Sequence, residues 1–197
     1  MRVIVLDHGA GNLHSLAGAL ESLGASVHIE PNTSRACSGD ALVIPGVGGF
    51  GPVATRLAPE RGIVRSALAD GLPCLAICLG MQLLFGRSDE GEGEGLALLR
   101  GETTRIAATR IPHMGWNRIE AADPLLPNGS LMYYAHSFAV RPADSQIVSG
   151  WTTYDGDRFA SIVRTANTVG VQFHPEKSGT TGRRFLAAWL EQAEACA

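Results

Sequence analysis

Through its first half the chain alternates short apolar runs with stretches of helical periodicity, and this alternation restricts it to a mostly parallel sheet with helices packed against it. The runs at residues 2–6, 25–29, 41–44 and 74–77 have strand length. Between the first two, Leu13, Leu16, Ala17, Leu20 and Leu23 fall on one stripe of a helix over residues 12–23, which Gly24 ends. A second helix belongs within residues 53–69, where Pro59 must kink or interrupt it. Gly71-Leu72-Pro73 then stops that helix and launches the strand at 74–77. Residues 86–95 are rich in Gly and Glu and have no apolar face to bury, which predicts a mobile, solvated acidic loop. Beyond it, β-like patterning recurs near residues 131–140, 146–154, 159–164 and 169–173, followed by a final helix over 182–195. With 197 residues and no repeat or interdomain linker, one domain spanning residues 1–197 is expected.

A formal net charge of -3 offers no long-range attraction to phosphate backbones or anionic lipid, so neither nucleic acid nor membrane is an expected partner. Small molecules and proteins remain. The opening run from Met1 to Leu6 is too short for a signal peptide or a spanning helix, and it meets Asp7 at once. Cys37, Cys74, Cys78 and Cys196 have neither zinc-ligand nor Cys-x-x-Cys spacing. The expectation is a cytoplasmic protein with reduced thiols, no metal and no cofactor.

Three segments carry chemistry. In Pro73-Cys74-Leu75-Ala76-Ile77-Cys78-Leu79-Gly80-Met81-Gln82 an apolar strand runs into Cys78, and Gly80 lets the chain turn sharply into a helix packed close to that strand. Such an elbow holds a sulfur at the carboxyl end of the sheet and at a helix N-terminus, where thiolate is favoured. The N–H of Leu79 then points where an oxyanion would form, and Gln82, four residues on, shares the helical face of Cys78. In Gln172-Phe173-His174-Pro175-Glu176-Lys177-Ser178 a strand emerges into His-Pro-Glu, so that the Glu176 carboxylate can orient the His174 imidazole along an extended, proline-stiffened link. A thiolate attacking an amide needs a proton donor for the departing ammonia, and a carboxylate-paired imidazole supplies one. In Pro45-Gly46-Val47-Gly48-Gly49 the backbone is free to offer N–H groups to an oxyanion or carboxylate. Each segment also has a plainer reading: a buried structural thiol, a strand-end histidine, an ordinary βα turn. The Lys-Ser/Thr of a phosphate loop is absent, and the glycines of Asp7-His8-Gly9-Ala10-Gly11 have the wrong spacing for a dinucleotide fingerprint.

Taken in order, these segments resemble the triad-type (class I) glutamine amidotransferases across nearly the whole chain. Within that group the likeness is strongest to the glutaminase subunits of imidazole glycerol phosphate synthase, in histidine biosynthesis. It is carried by Asp7-x-Gly9-x-Gly11-Asn12-Leu13 with Ser15, by Pro45-Gly46-Val47-Gly48, by Pro112-His113-Met114-Gly115-Trp116-Asn117, by His136-Ser137-Phe138 and by the Gln172 to Ser178 ending. The resemblance implies a flavodoxin-like α/β fold. It implies Cys78 as nucleophile, His174 as general base and acid, Glu176 as its orienter, and an oxyanion held near Val47 and Leu79. Glutamine would sit over Gly46, Gln82, Glu90, His136, Ser137 and Phe138. The implied partner is a (β/α)8-barrel cyclase subunit, met at Asn12, Trp116 and Lys177 in a heterodimer. That subunit would take ammonia through a sheltered route to make imidazole glycerol phosphate and aminoimidazole carboxamide ribotide. Shelter matters because ammonia released to water near neutral pH is mostly protonated and no longer nucleophilic.

The chain departs from the family at two positions, with His8 and Phe138 where tyrosine is common. Two other readings stand beside this one: a glutaminase serving pyridoxal phosphate synthase or an anthranilate-type synthase, and a flavodoxin-like thiol sensor that hydrolyses nothing. The His174-Pro175-Glu176 segment argues against the sensor.

Overall fold

The structure, a computed structural model, describes residues 1–9, 13–165 and 167–196. In chain order its elements are β1 (Arg2–Leu6), α1 (Leu13–Glu21), β2 (Ser26–Glu30), α2 (Thr33–Ala36), β3 (Ala41–Ile44), α3 (Phe50–Leu57), α4 (Arg61–Ala69), β4 (Cys74–Ile77) and α5 (Leu79–Leu83). Then follow β5 (Gly101–Arg105), β6 (His113–Arg118), β7 (Glu120–Ala121), β8 (Leu131–His136), β9 (Phe138–Pro142), β10 (Val148–Tyr154), β11 (Asp157–Thr165), β12 (Thr168–Val171) and α6 (Gly179–Glu194), with 3-10 turns at Ser145–Ile147 and Pro175–Lys177.

One eight-stranded sheet runs in the order β2-β1-β3-β4-β12-β11-β10-β7. From β2 to β12 every pairing is parallel, and from β12 outward every pairing is antiparallel. The parallel strands β3, β4 and β12 are buried at every position, which only residues apolar on both faces can tolerate. Alternation along β4 divides the core. Leu75 and Ile77 pack with Leu16 and Leu20 of α1 and with Phe185 and Trp189 of α6 on one face. Cys74 and Ala76 pack with Phe50, Val53 and Leu57 of α3 and Val64 and Leu68 of α4 on the other. Two antiparallel ribbons, β5–β9 and β6–β8, stand apart from the main sheet. Among the described residues no helix is long and apolar enough to cross a membrane.

The expected strands lie within two residues of their places, the run expected near 131–140 is divided into β8 and β9, and the helix expected at 53–69 is two helices separated around Pro59. The ribbon strands β5 and β6 have no counterpart in the expected elements. The acidic loop is also more tightly held than its composition suggests. The Glu90 carboxylate accepts the Phe50 N–H at the start of α3 at 2.9 Å, the Asp89 N–H reaches Thr103 O at 2.9 Å, and the Glu92 backbone lies directly on Gly51.

Candidate active site

The site forms where β3, β4 and β12 end, at the carboxyl edge of the parallel sheet. Cys78 follows β4 with φ 51° and ψ -106°, a left-handed conformation that costs a non-glycine residue on the order of 1–3 kcal/mol. Backbone contact on both sides holds it there. Gly46, just past β3, lies so close to the Ile77 carbonyl and the Leu79 nitrogen that a methyl at that position would overlap them, and Gly80 meets the Ile44 carbonyl in the same way. The Cys78 N–H donates to Val171 O at 2.6 Å, and the Gln82 N–H returns to Cys78 O at 3.1 Å to start α5.

His174 and Glu176 meet by a different route from the extended link the sequence suggests. His174 is extended, but Pro175–Lys177 is a 3-10 turn, and the turn folds the carboxylate back so that His174 Nδ1 donates to Glu176 Oε1 at 2.8 Å. Ser178 clips this turn to β8. It takes the Tyr133 N–H at 2.9 Å and gives its hydroxyl hydrogen to His174 O at 2.6 Å, while the His174 N–H reaches Tyr133 O at 2.8 Å.

With Nδ1 committed to the carboxylate, the other ring nitrogen is left for Cys78, which lines the same cavity as His174. Burial pushes the His174 pKa down, but the charge and hydrogen bond of Cys78, then those of Glu176, outweigh it and raise it to about 10. The two partners thus favour the protonated imidazole. Among the described residues Glu176 Oε2 is buried with no hydrogen-bond partner, and an uncompensated carboxylate in that position would be costly. The imidazolium beside it supplies the compensation.

A cavity of about 270 Å³ opens in front of Cys78. Gly46, Gln82, Glu90, His136, Ser137 and Phe138 all line it, as do Val47, Leu79, His174 and Lys177. Glu176 lies behind, lining a much smaller cavity together with Pro45 and Val47. At the mouth Met114 is 65% exposed, and Trp116, further along β6, is 54% exposed. Trp116 is thus a surface residue, although its size alone would suggest the core. Lys177 is exposed as well. Asn12 lies outside the described residues. Among those residues no group of three or more His, Cys, Asp or Glu side chains is placed to hold a metal ion.

The wall opposite Cys78 contains a hydrogen-bonded series that sequence reasoning did not assign. His136 Nδ1 lies 2.9 Å from Phe138 O, and a carbonyl can only accept, so this nitrogen carries the ring hydrogen. His136 Nε2 must then accept from His113 Nδ1 at 3.0 Å, and His113 Nε2 from the Asn117 amide at 3.4 Å. His113 is stacked between Tyr134 and Tyr154, with ring centroids 4.7 Å and 4.0 Å away. Burial lowers its pKa to about 4 and that of His136 to about 3. The Pro112 to Asn117 motif was the available signal, but the cross-strand register His113↔His136 that gives it meaning is not visible in either segment alone. His8 bonds Pro45 O through Nε2 at 2.9 Å, touching the strand end that carries Gly46.

Comparison with known proteins agrees with this geometry. Residues 4–193 match the family model described as glutamine amidotransferase class-I. The chain is 40% identical over 204 residues to the imidazole glycerol phosphate synthase subunit HisH of Aquifex aeolicus, covering 98% of each chain. It is 39% identical over 187 residues to the subunit of the same name from Pyrococcus furiosus, covering 92% of this chain and 94% of the relative. A crystal structure titled glutamine amidotransferase superposes with a TM-score of 0.79 at 21% identity, covering 98% of both chains, which speaks for the fold. The chain belongs to the class-I glutamine amidotransferases, within the family that includes the HisH subunits of imidazole glycerol phosphate synthase.

Proposed function

We propose that this chain is the glutaminase subunit of imidazole glycerol phosphate synthase, hydrolysing glutamine to glutamate and ammonia through a thioester on Cys78. The observation that carries the reading is the meeting of a sulfur on a strained turn with an imidazole held by a carboxylate, in front of one cavity. The Cys78 thiolate attacks the amide carbon. The S–C bond forms, and the carbonyl electrons move to an oxyanion that takes the Leu79 N–H and a backbone N–H near Val47. As the C–N bond breaks, His174 gives its proton to the leaving ammonia. It then takes one from the water that hydrolyses the thioester, and the sulfur departs again as thiolate. Glu176 fixes the tautomer and balances the imidazolium throughout. Glutamine rests against Gly46, Gln82, Glu90, His136, Ser137 and Phe138.

The ammonia goes to a (β/α)8-barrel cyclase subunit docked over Trp116, Lys177 and Asn12, in a cytoplasmic heterodimer. An exposed tryptophan that reaches toward Gly179, two residues beyond the cavity-lining Lys177, supports this placement. The two relatives' shared name supports the choice of synthase. The test is a pair of assays on the chain mixed with the cyclase and its ribonucleotide. Cys78→Ala is expected to abolish glutamine-dependent synthesis and leave ammonia-dependent synthesis intact, and the wild type should release glutamate faster when cyclase and ribonucleotide are added. Loss of the ammonia-dependent reaction as well would refute the division of labour between the subunits.

A further inference from the structure

Gln172 has no part in the chemistry set out above, yet its side chain is fully buried, at 0% exposure. A primary amide there is costly unless its hydrogen-bonding groups find partners. The register explains how it does so. Ile77 pairs with Val171 across β4 and β12, so Cys78 and Gln172, the next residue on each strand, emerge side by side. The Gln172 N–H is taken by Ser161 O at 3.0 Å, which fixes the backbone. The side-chain Nε2 then donates to Cys78 Sγ at 3.4 Å, and Oε1 accepts from Gln82 Nε2 at 3.3 Å. Gln82 Nε2 has a second hydrogen, which goes to Phe138 O at 3.0 Å. These partners determine the orientation of the Gln172 amide: turned the other way, its oxygen would face an anionic sulfur and its NH2 would face another NH2.

We propose that Gln172 is a catalytic residue of the glutaminase reaction, donating its side-chain N–H to the Cys78 sulfur so that the thiolate is stabilised and aimed at the glutamine amide carbon. The proposal rests on Cys78 being the nucleophile. A thiolate in this site has lost most of its water, and two donors replace it, the His174 ring and the Gln172 amide. The neutral thiol fares worse, since the acceptor it finds among the described residues, Ala135 O, lies 3.9 Å away. When the sulfur bonds to carbon its charge passes to the oxyanion and the Gln172 bond weakens. When water cleaves the thioester the charge returns and the same donor receives the leaving thiolate, so both halves of the reaction pass through this contact. The upstream bond from Gln82, itself on the cavity wall, polarises the Gln172 amide in the direction that strengthens its donation.

The test uses the full chain with Gln172→Met, which keeps length and bulk but removes the amide, and Gln172→Glu, which keeps the shape and places an acceptor against the sulfur. Alkylation of Cys78 by iodoacetamide, followed by peptide mass spectrometry, is expected to slow about tenfold at neutral pH in the methionine variant and further in the glutamate variant. The deficit should close at alkaline pH, because a donor that favours thiolate over thiol matters less as protons become scarce. Glutamate release should fall about tenfold in kcat, with KM changed by less than about twofold. A purely structural role would lower the melting temperature without this pH signature. Normal alkylation and turnover in the folded variants, or a deficit that persists at alkaline pH, would overturn the proposal. The wild type offers a check that needs no variant: the Gln172 side-chain amide resonance should move when Cys78 is alkylated, and an unmoved resonance refutes the contact. Cys78→Ala separates the two readings. If it keeps turnover, the nucleophile assignment fails and Gln172 with it. If it is dead while the Gln172 variants behave as wild type, only the Gln172 proposal fails.

Discussion

Two histidines face the same cavity under nearly the same burial, His174 at 2% exposure and His136 at 5%, and their proton affinities diverge in opposite directions. His174 is raised to about 10, His136 lowered to about 3. Burial pushes both down. At His174 the Cys78 sulfur and the Glu176 carboxylate overcome it, whereas at His136 the hydrogen-bond partners are a carbonyl and another neutral ring, and the positive fields of His174 and Arg141 add to the effect of burial. The cavity therefore has one wall that exchanges protons and one that remains a neutral hydrogen-bonding surface. Anions placed by a 3-10 turn and a strained elbow, and not the depth of burial, separate the two.

The sharpest way to break this contrast is Glu176→Gln, which removes the anion from His174 and leaves the shape. Glutamate release is expected to fall about 100-fold or more, the scale of lost acid–base assistance. The His174 ring, followed by its NMR titration, should lose proton affinity and move toward the behaviour of His136. Turnover within about tenfold of wild type would mean that Cys78 alone sustains the imidazolium.

The neutral wall makes its own prediction on stability. The unfolded histidines titrate near 6.5, the native His113 and His136 near 4 and 3. As pH falls below 6.5 the unfolded chain takes up protons at these rings that the native state cannot, so their contribution is intact above that value and is lost as pH drops. The slope approaches at most about 1.4 kcal/mol per pH unit for each ring. Urea unfolding across this range should show the decline, and His113→Gln should make it shallower. An unchanged slope in that variant would show that the pair does not govern acid stability.

How far the sequence discloses this arrangement depends on whether the cause is local. Cys78, Gly80 and Gly46 are legible because a buried strand ending in a sharp turn must use small or turn-forming residues at those points. His174 and Glu176 are legible as neighbours, although the 3-10 turn and the Ser178 clip that seat them rely on Tyr133 of β8, 45 residues before Ser178. Gln172 stood in plain view next to Phe173, but its meaning comes from the register between β4 and β12, which no local pattern states. The β5–β9 and β6–β8 ribbons were missed for a related reason. Gly101–Arg105 and His113–Arg118 are half-exposed and polar, so they lack the continuous apolar run that marks β3 or β4. In the 86–95 loop, charge and glycine suggested solvation, yet Glu90 serves the start of α3 through a backbone N–H that composition cannot reveal.

Asn117→Asp tests the smallest difference between the walls by giving the neutral one an anion. In the native chain the Asn117 amide donates to His113 Nε2 at 3.4 Å and to Thr153 O at 3.1 Å, while its oxygen accepts the Arg118 N–H at 2.8 Å. An aspartate keeps the last bond and loses the other two, so stability near neutral pH should fall by about 1–2 kcal/mol. It also sets a carboxylate beside His113, the relation Glu176 has to His174, and so favours a proton on Nε2. The native proton uptake of His113 then moves toward 6.5, and the acid-side loss should become shallower than in wild type even though the variant starts less stable. Melting temperatures from neutral pH down to about 4 would show the two curves converging. Parallel curves would mean that a carboxylate within reach is not enough, and that His174 owes its proton chiefly to the sulfur of Cys78.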